Sequence, residues 1–418
     1  MLEFLHIEVK IVEQTEPLFR YTTANRWVGS LWMACALAVP SVAWAQGSEI
    51  VLYSFTGGAD GGNPQSPVIR DSAGNLYGTT RVGGASNQGV VYRLDATGHE
   101  TALYSFAGGA DGAHPYAGLI LDSAGNLYGT TYRGGPANAG VVYKVDVAGY
   151  ETVLYAFTGG ADGGNPYAGV IRDSTGNLYG TTLYGGAANA GVVYELEAAG
   201  HETVLYPFTG GADGGNPYAG VIRDSAGNLY GTTHSGGINP FGTGDLGVVY
   251  KVDATGHETV LYSCPGGADD GCRYPVAGVI HDSHGNLYGT TAEGGTGCLY
   301  GCGVVFKLDA SGNETPLYSF TGGPDGAYPL GGVILDAAGN LYGTTSHGVT
   351  TKNGAVYKLD GAGQSAVLYS FTGGADGGQP YSGLIRDSDG NLYGTTLYGG
   401  TNNAGVVFEI PATSTMVQ

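Results

Sequence analysis

The chain has 418 residues, 79 of them glycine and 17 proline, and 36 acidic against 16 basic residues leave a formal net charge of −20. Such a balance excludes a phosphate-backbone partner, because nucleic acids are held through Lys and Arg. The glycine content borders on low complexity, but 31 tyrosines and recurrent Val/Ile runs exclude a disordered chain.

The first 45 residues stand apart from the rest. Arg20 and Arg26 precede an apolar run, 27–45, that ends in Ala43-Trp44-Ala45. This reads as a secretory signal with an A-x-A cleavage site before Gln46. A membrane anchor is the alternative for a run of this length; Pro40 and the small residues before Gln46 favour cleavage. Glu3, Glu8, Glu13 and Glu16 are foreign to a signal and suit a start codon further along, and Cys35 follows Trp-Met-Ala, a poor lipoprotein box. The expected mature chain, residues 46–418, is then one domain with no membrane segment.

From Leu52 onward the chain repeats itself, which decides the fold before any local propensity does. Segments resembling LYSF begin at Leu52, Leu103, Leu154, Leu205, Leu261, Leu317 and Leu368, 51 or 56 residues apart. Each period carries four strand-like runs. In the first they are VIRD (68–71), NLYGTT (75–80), GVVYRLD (89–95) and ETALYSF (100–106), here called A, B, C and D. Between A and B, Asp71 to Asn75 forms a tight hairpin loop in which Gly74 takes positive φ and Asp71 bonds the turn backbone. The heptapeptide GNLYGTT recurs seven times. In strand B, Leu76 and Tyr77 point to opposite faces; both are apolar or aromatic, so each small sheet must be covered on both sides. Sheets packed face to face around an axis meet that need. The expected fold is all-β, a seven-bladed β-propeller of four-stranded antiparallel blades. A lone D strand, 50–55, opens the array, and the last A-B-C set ends at Ile410 without one. Strand 50–55 therefore completes the last blade and closes the ring. A β-solenoid is the alternative, and it would need distinct caps at both ends.

The A–B and C–D turns keep their lengths in every period, whereas every insertion falls in a B–C or D–A loop. In an antiparallel blade these two loops emerge on one face, where binding residues on a rigid scaffold usually sit. Repeat four has a longer B–C loop, 234–246, which contributes Phe241 and Asp245; repeat five lengthens both loops and contributes Glu293. Tyr132, Tyr184 and Tyr398 lie in B–C loops and suit a sugar or peptide surface. Tyr116, Tyr167, Tyr218 and Tyr381 follow Pro before strand A, and Tyr274 and Tyr328 precede Pro; packing between blades accounts for most of these. The D–A loops also share an aspartate: Asp60, Asp111, Asp162, Asp213, Asp269, Asp325 and Asp376. Seven carboxylates among glycines could hold calcium, but one acid per loop is a thin ligand set, and each Asp can instead cap its own loop.

Beyond Cys35, all cysteines lie in repeat five: Cys264 and Cys272 in the D–A loop, Cys298 and Cys302 in the B–C loop. In an exported chain they read as two disulfides, one within each loop; cross-pairing and zinc are alternatives, though the spacings are not those of zinc sites. No G-x-S-x-G or H-E-x-x-H occurs. The His-Glu pairs at His99, His201 and His257 occupy C–D turns, and Arg70, Arg172, Arg223 and Arg386 share a strand A position that also accepts Leu121, His281 and Leu335. Glu293 and His234 are singular and are the strongest catalytic candidates, for a lyase or hydrolase near repeats four and five. No cofactor other than calcium is expected, and the chain is expected to be a monomer.

The period LYSFTGG…GNLYGTT…GVVY, spanning residues 50–410, resembles the GloVer tandem repeat of choice-of-anchor proteins. The resemblance implies an exported bacterial repeat protein, at the cell surface, extracellular or periplasmic, and implies no reaction. The chain departs from that pattern at its end, PATSTMVQ, which shows no anchor. The expected function is a binding or scaffold module whose loop face meets surface polysaccharide, peptide or an envelope protein.

Overall fold

A computed structural model describes residues 48–238, 246–265, 272–348 and 352–412. The signal reading of residues 1–45 lies outside them. Blade 1 consists of β2 (Ile69–Arg70), β3 (Leu76–Thr80), β4 (Val90–Leu94) and β5 (Glu100–Ser105), paired in that order and antiparallel throughout. Blades 2 to 6 repeat it over Ile120–Ala156, Ile171–Pro207, Ile222–Ser263, Ile280–Ser319 and Ile334–Ser370. Blade 7 takes β26 (Ile385–Arg386), β27 (Leu392–Thr396) and β28 (Val406–Ile410) from the chain's end and β1 (Ile50–Ser54) from its start. The protein is a seven-bladed β-propeller closed by its N-terminal strand. The expected strands are all present, but strand A is only two residues long, because its preceding residues bend to line the central bore.

Each letter of GNLYGTT has a structural reason. Gly74 (φ 89°) completes the turn, where a side chain would be strained. The Asn75 side-chain amide donates to Asp71 Oδ2 at 2.7 Å, and the Tyr77 hydroxyl donates to the same oxygen at 3.1 Å. Leu76 is buried between blades, worth about 2 kcal/mol by apolar transfer. Gly78 lies under the ring of Tyr92, whose hydroxyl oxygen would stand 2.4 Å from an added Cβ. Thr79 Oγ1 donates to the Ala117 carbonyl of the next blade at 2.9 Å. Thr80 Oγ1 turns back to the Val82 carbonyl at 3.0 Å and holds the start of the B–C loop.

The Thr79 bond recurs at every blade junction: Thr130 to Ala168, Thr181 to Ala219, Thr232 to Ala277, Thr290 to Gly331, Thr344 to Ser382, and Thr395 to Ser66. The last of these closes the ring. Cores form between blades. Phe55, just beyond β1, meets Tyr92 of blade 1 edge to face at 5.0 Å, and Phe106 meets Tyr143 likewise. Such pairs add about 1 kcal/mol to their burial. Register slips at Leu52 and at its counterpart in every D strand, a bulge that sharpens the twist of the outermost strand.

Candidate functional site

The site begins with the segment that leads each blade from its D–A loop to the bore. A residue with left-handed backbone precedes a proline: Asn63 (φ 54°), Asn165 (56°) and Asn216 (52°). Asn tolerates this region best after Gly. Its side-chain amide also ties the segment to the previous blade's B–C loop, as Asn63 to the Leu397 carbonyl (2.9 Å) and Asn165 to the Tyr132 carbonyl (2.8 Å). Tyr274 (53°) and Tyr328 (55°) hold the same backbone with bulky side chains, a strain of about 1–3 kcal/mol each. The residue after the proline then faces the axis.

Those seven residues, Gln65, Tyr116, Tyr167, Tyr218, Val276, Leu330 and Tyr381, ring a cavity of about 170 Å³ at the bore's mouth on the loop face. Beneath it the bore, about 450 Å³, is lined by small and aliphatic residues such as Ala117, Gly118 and Leu119. The mouth is aromatic along one arc. Tyr116 and Tyr167 stack at 4.8 Å, Tyr132 meets Tyr116 edge-on at 5.3 Å, and Tyr167 meets Tyr218 at 5.2 Å. His234 lies between Tyr218 (5.1 Å) and Tyr274 (4.8 Å). Arg81 and Arg133 lie over Tyr116 and Tyr132 at 5.8 and 5.9 Å.

Burial, then the neighbouring Tyr184 hydroxyl, raises the pKa of Tyr132 and of Tyr218. Burial, then Tyr398, does the same for Tyr381, and burial lowers that of His234. The rings are thus neutral at physiological pH: apolar faces with hydroxyl tips that both donate and accept. This chemistry is able to stack on and hydrogen-bond a ligand.

Of the expected binding residues, Tyr132 packs edge-on against the mouth tyrosines Tyr116 and Tyr167. Tyr184 and Tyr398 sit one residue later in the B–C loops, paired with Gly164 and Gly378. They remain 38% and 42% exposed beside the mouth. Glu293 occupies the same loop position in blade 5, its backbone bridged to Arg273, and His234 is held by aromatic rings. Phe241, Asp245 and Asp269 lie outside the described residues. The four tyrosines after proline, assigned to blade packing by sequence, are the mouth itself. Their shared offset of one residue from each proline was the available signal.

The six described D–A aspartates sit at the outer rim, away from the mouth. Asp60 accepts from the Tyr53 hydroxyl (2.9 Å), the Thr56 amide (2.7 Å) and the Thr56 hydroxyl. Asp111, Asp162, Asp213, Asp325 and Asp376 likewise accept a tyrosine hydroxyl and an amide of their own loops. The second acid that sequence did not find comes from the neighbouring blade. Half burial, then Asp60, raises Glu100 to about 7, and Glu151 and Glu258 stand likewise toward Asp111 and Asp213. Among the described residues no three His, Cys, Asp or Glu side chains converge as a metal site.

Blade 5 carries two disulfides, Cys264–Cys272 and Cys298–Cys302, each within one loop, the chemistry of an exported chain. The second closes a short loop that presents Leu299 and Tyr300, 88% and 60% exposed. The strand A arginines cover tyrosine rings. Arg172, Arg223 and Arg386 each lie over the strand B tyrosine of the preceding blade, and Arg70 lies over Tyr393 while pairing with Asp387 at 4.0 Å. A flat or apolar cover is all that position requires, so Leu121 and Leu335 serve there too.

The sequence profile of the Gloeobacter/Verrucomicrobia repeat matches residues 39–244 and 239–418. The chain belongs to the Gloeobacter/Verrucomicrobia repeat family. No curated protein sequence matches it. Among solved structures, this member of the family resembles an extracellular domain assigned to a one component system of B. thetaiotaomicron, at TM-score 0.54 and 13% identity, over 87% of this chain. The chain spans only 40% of that domain's length. It also resembles a candidate 6-phosphogluconolactonase from Bacteroides uniformis (TM-score 0.44, 17% identity, 74% and 85% of the two chains) and a puromycin hydrolase (0.45, 13%, 80% and 50%). At these identities the likeness is one of fold. Among the described residues no helix is long and apolar enough to cross a membrane.

Proposed function

We propose that this repeat protein is an exported binding module that holds a glycan at the aromatic mouth on its loop face. The observation that carries this reading is the convergence of seven equivalent positions on one cavity, four of them tyrosine. Sugars present apolar C–H faces and hydroxyl edges, which match neutral phenol rings with free tips. A reaction would need a positioned acid and base of different character. Here His234 is held by two aromatic rings, and Glu293 lies in the next blade's loop.

The test is a glycan array probed with the purified chain, followed by titration calorimetry on whatever is retained. Wild type is expected to retain at least one glycan class. Tyr167→Ala is expected to weaken that binding about tenfold or more, consistent with a central anchor, with an unchanged circular dichroism spectrum. Retention of no glycan, or wild-type affinity in both Tyr167→Ala and Tyr132→Ala, overturns the proposal.

A further inference from the structure

We propose that the mouth selects an acidic glycan, and that Arg81 and Arg133 hold its carboxylates. This rests on the glycan reading above and names the ligand's charge. The two arginines come from the B–C loops of adjacent blades and flank one aromatic cluster: Arg81 over Tyr116, Arg133 over Tyr132, with those two rings 5.3 Å apart. Among the described residues neither makes an ion pair; the one arginine that does, Arg70, lies in strand A of blade 1. A guanidinium attracted to a ring at this range still has N–H donors to offer, and its edge fits a carboxylate with two parallel hydrogen bonds.

The surroundings sharpen this. A chain of net charge −20 repels anions at long range, so an acidic ligand gains only from cations at contact distance. The D–A loop acids next to these arginines are placed where they do not compete. Asp60 and Asp111 are bonded to Tyr53 and Tyr104 of outermost strands, at the rim, while the arginines stand beside Tyr116 and Tyr132. Burial, then Tyr116 and Tyr218, raise the Tyr167 hydroxyl's pKa, and the nearby Arg81 charge partly offsets that rise. Arg81 therefore reaches the stacked pair as well as its own loop.

The experiment titrates the purified chain with oligomers of galacturonate, of mannuronate and guluronate, and of glucuronate, each beside its carboxyl-reduced neutral form. The acid form of at least one is expected to bind about tenfold tighter at low salt, with the preference shrinking as salt rises. The Arg81→Gln/Arg133→Gln double variant is expected to lose that preference, and an unchanged circular dichroism spectrum shows that it folds. Equal or tighter binding of the neutral forms overturns the acidic-ligand inference and leaves the mouth reading standing. Preference for dextran sulfate over every uronate, measured against dextran, overturns the carboxylate assignment. No binding in either series overturns the acidic-ligand inference, and an acid preference that the double variant retains overturns the assignment of the carboxylates to Arg81 and Arg133.

Discussion

The two faces of the disc are built from the same chain by opposite rules. On the turn face, Asp71, Asp122, Asp173, Asp224, Asp282, Asp336 and Asp387 each accept a tyrosine hydroxyl from strand B and the amides of their own turn. Seven copies do one job, and the loops never change length. On the loop face, one position per blade reads Gln, Tyr, Tyr, Tyr, Val, Leu, Tyr around the mouth, and blade 5 adds two disulfides. The repeat specifies the scaffold. The proposed recognition site lies where the repeat is allowed to differ.

The largest effect should come from the boundary between these regimes. Gly185 begins a B–C loop in left-handed backbone (φ 80°), and an added Cβ would lie 2.4 Å from the backbone Cα of Gly163. Gly285, in a turn-face loop, has the same φ and nothing within 4 Å. Gly285→Ala should cost about 1–2 kcal/mol, the strain of left-handed backbone alone. Gly185→Ala adds an overpacking cost of about 1–3 kcal/mol, because backbone cannot move aside. Chemical denaturation of both variants checks this. Equal losses would mean that the loop face is soft at its base, against the contrast drawn here.

That base explains what was legible in sequence and what was not. The fold was legible because seven copies of GNLYGTT fixed the strands, and the unpaired strand at 50–55 fixed the closure. The cysteine pairing followed from each pair sharing one loop. The junctions were not legible: Thr79 bonds a carbonyl 38 residues away, and Glu100 faces Asp60 only once neighbouring blades are packed. The mouth was half legible. Tyr132 drew attention for its loop, whereas Tyr116 and Tyr167 looked like packing, because an aromatic beside proline serves either purpose until the axis is known.

The next effect separates the faces by pH. Turn-face Asp253 is lowered to about 2 by the Thr255 hydroxyl and the His257 and Thr255 amides. A lowered carboxyl stabilises above its unfolded value of 3.8, and that contribution is lost as pH falls through the folded value. Glu49, Glu100, Glu151, Glu202 and Glu258, at the junctions, are raised to about 7 by half burial and then by a neighbouring Asp. A raised carboxyl contributes fully below its unfolded value of 4.5 and loses that contribution as pH rises through 7. The melting midpoint should therefore peak between pH 4 and 5 and decline toward pH 8. Glu100→Gln together with Glu151→Gln should flatten the upper limb and leave the lower one. A midpoint that rises steadily to pH 8 would contradict the junction account.

A smaller loss is expected at the threonine ring. Thr181→Val keeps the shape but removes the donor to the Ala219 carbonyl, both groups being buried. About 1–2 kcal/mol should be lost, the cost of a missing bond plus an unsatisfied carbonyl. Thr175→Val, in an exposed turn-face loop where Asp173 keeps its other donors, should lose less than about 0.5 kcal/mol. The pair tests whether cohesion between blades resides at the junctions.

The smallest effect is the most diagnostic of how the repeat tolerates change. Tyr92, Tyr143, Tyr194, Tyr250 and Tyr357 are fully buried, and their hydroxyls have no hydrogen-bond partner. Phe306 and Phe408 hold the same place in blades 5 and 7. A buried hydroxyl without a partner costs stability, so its removal should be neutral or favourable. Tyr143→Phe should leave the midpoint unchanged or raise it, by up to about 1 kcal/mol in stability, while Tyr128→Phe, which breaks the bond to Asp122, should lower it. If Tyr143→Phe lowers stability by as much as Tyr128→Phe does, a buried water joins the hydroxyl to the junction. The two phenylalanine blades would then be the weak joints of the ring, and the contrast between a uniform scaffold and a variable face would have to be redrawn blade by blade.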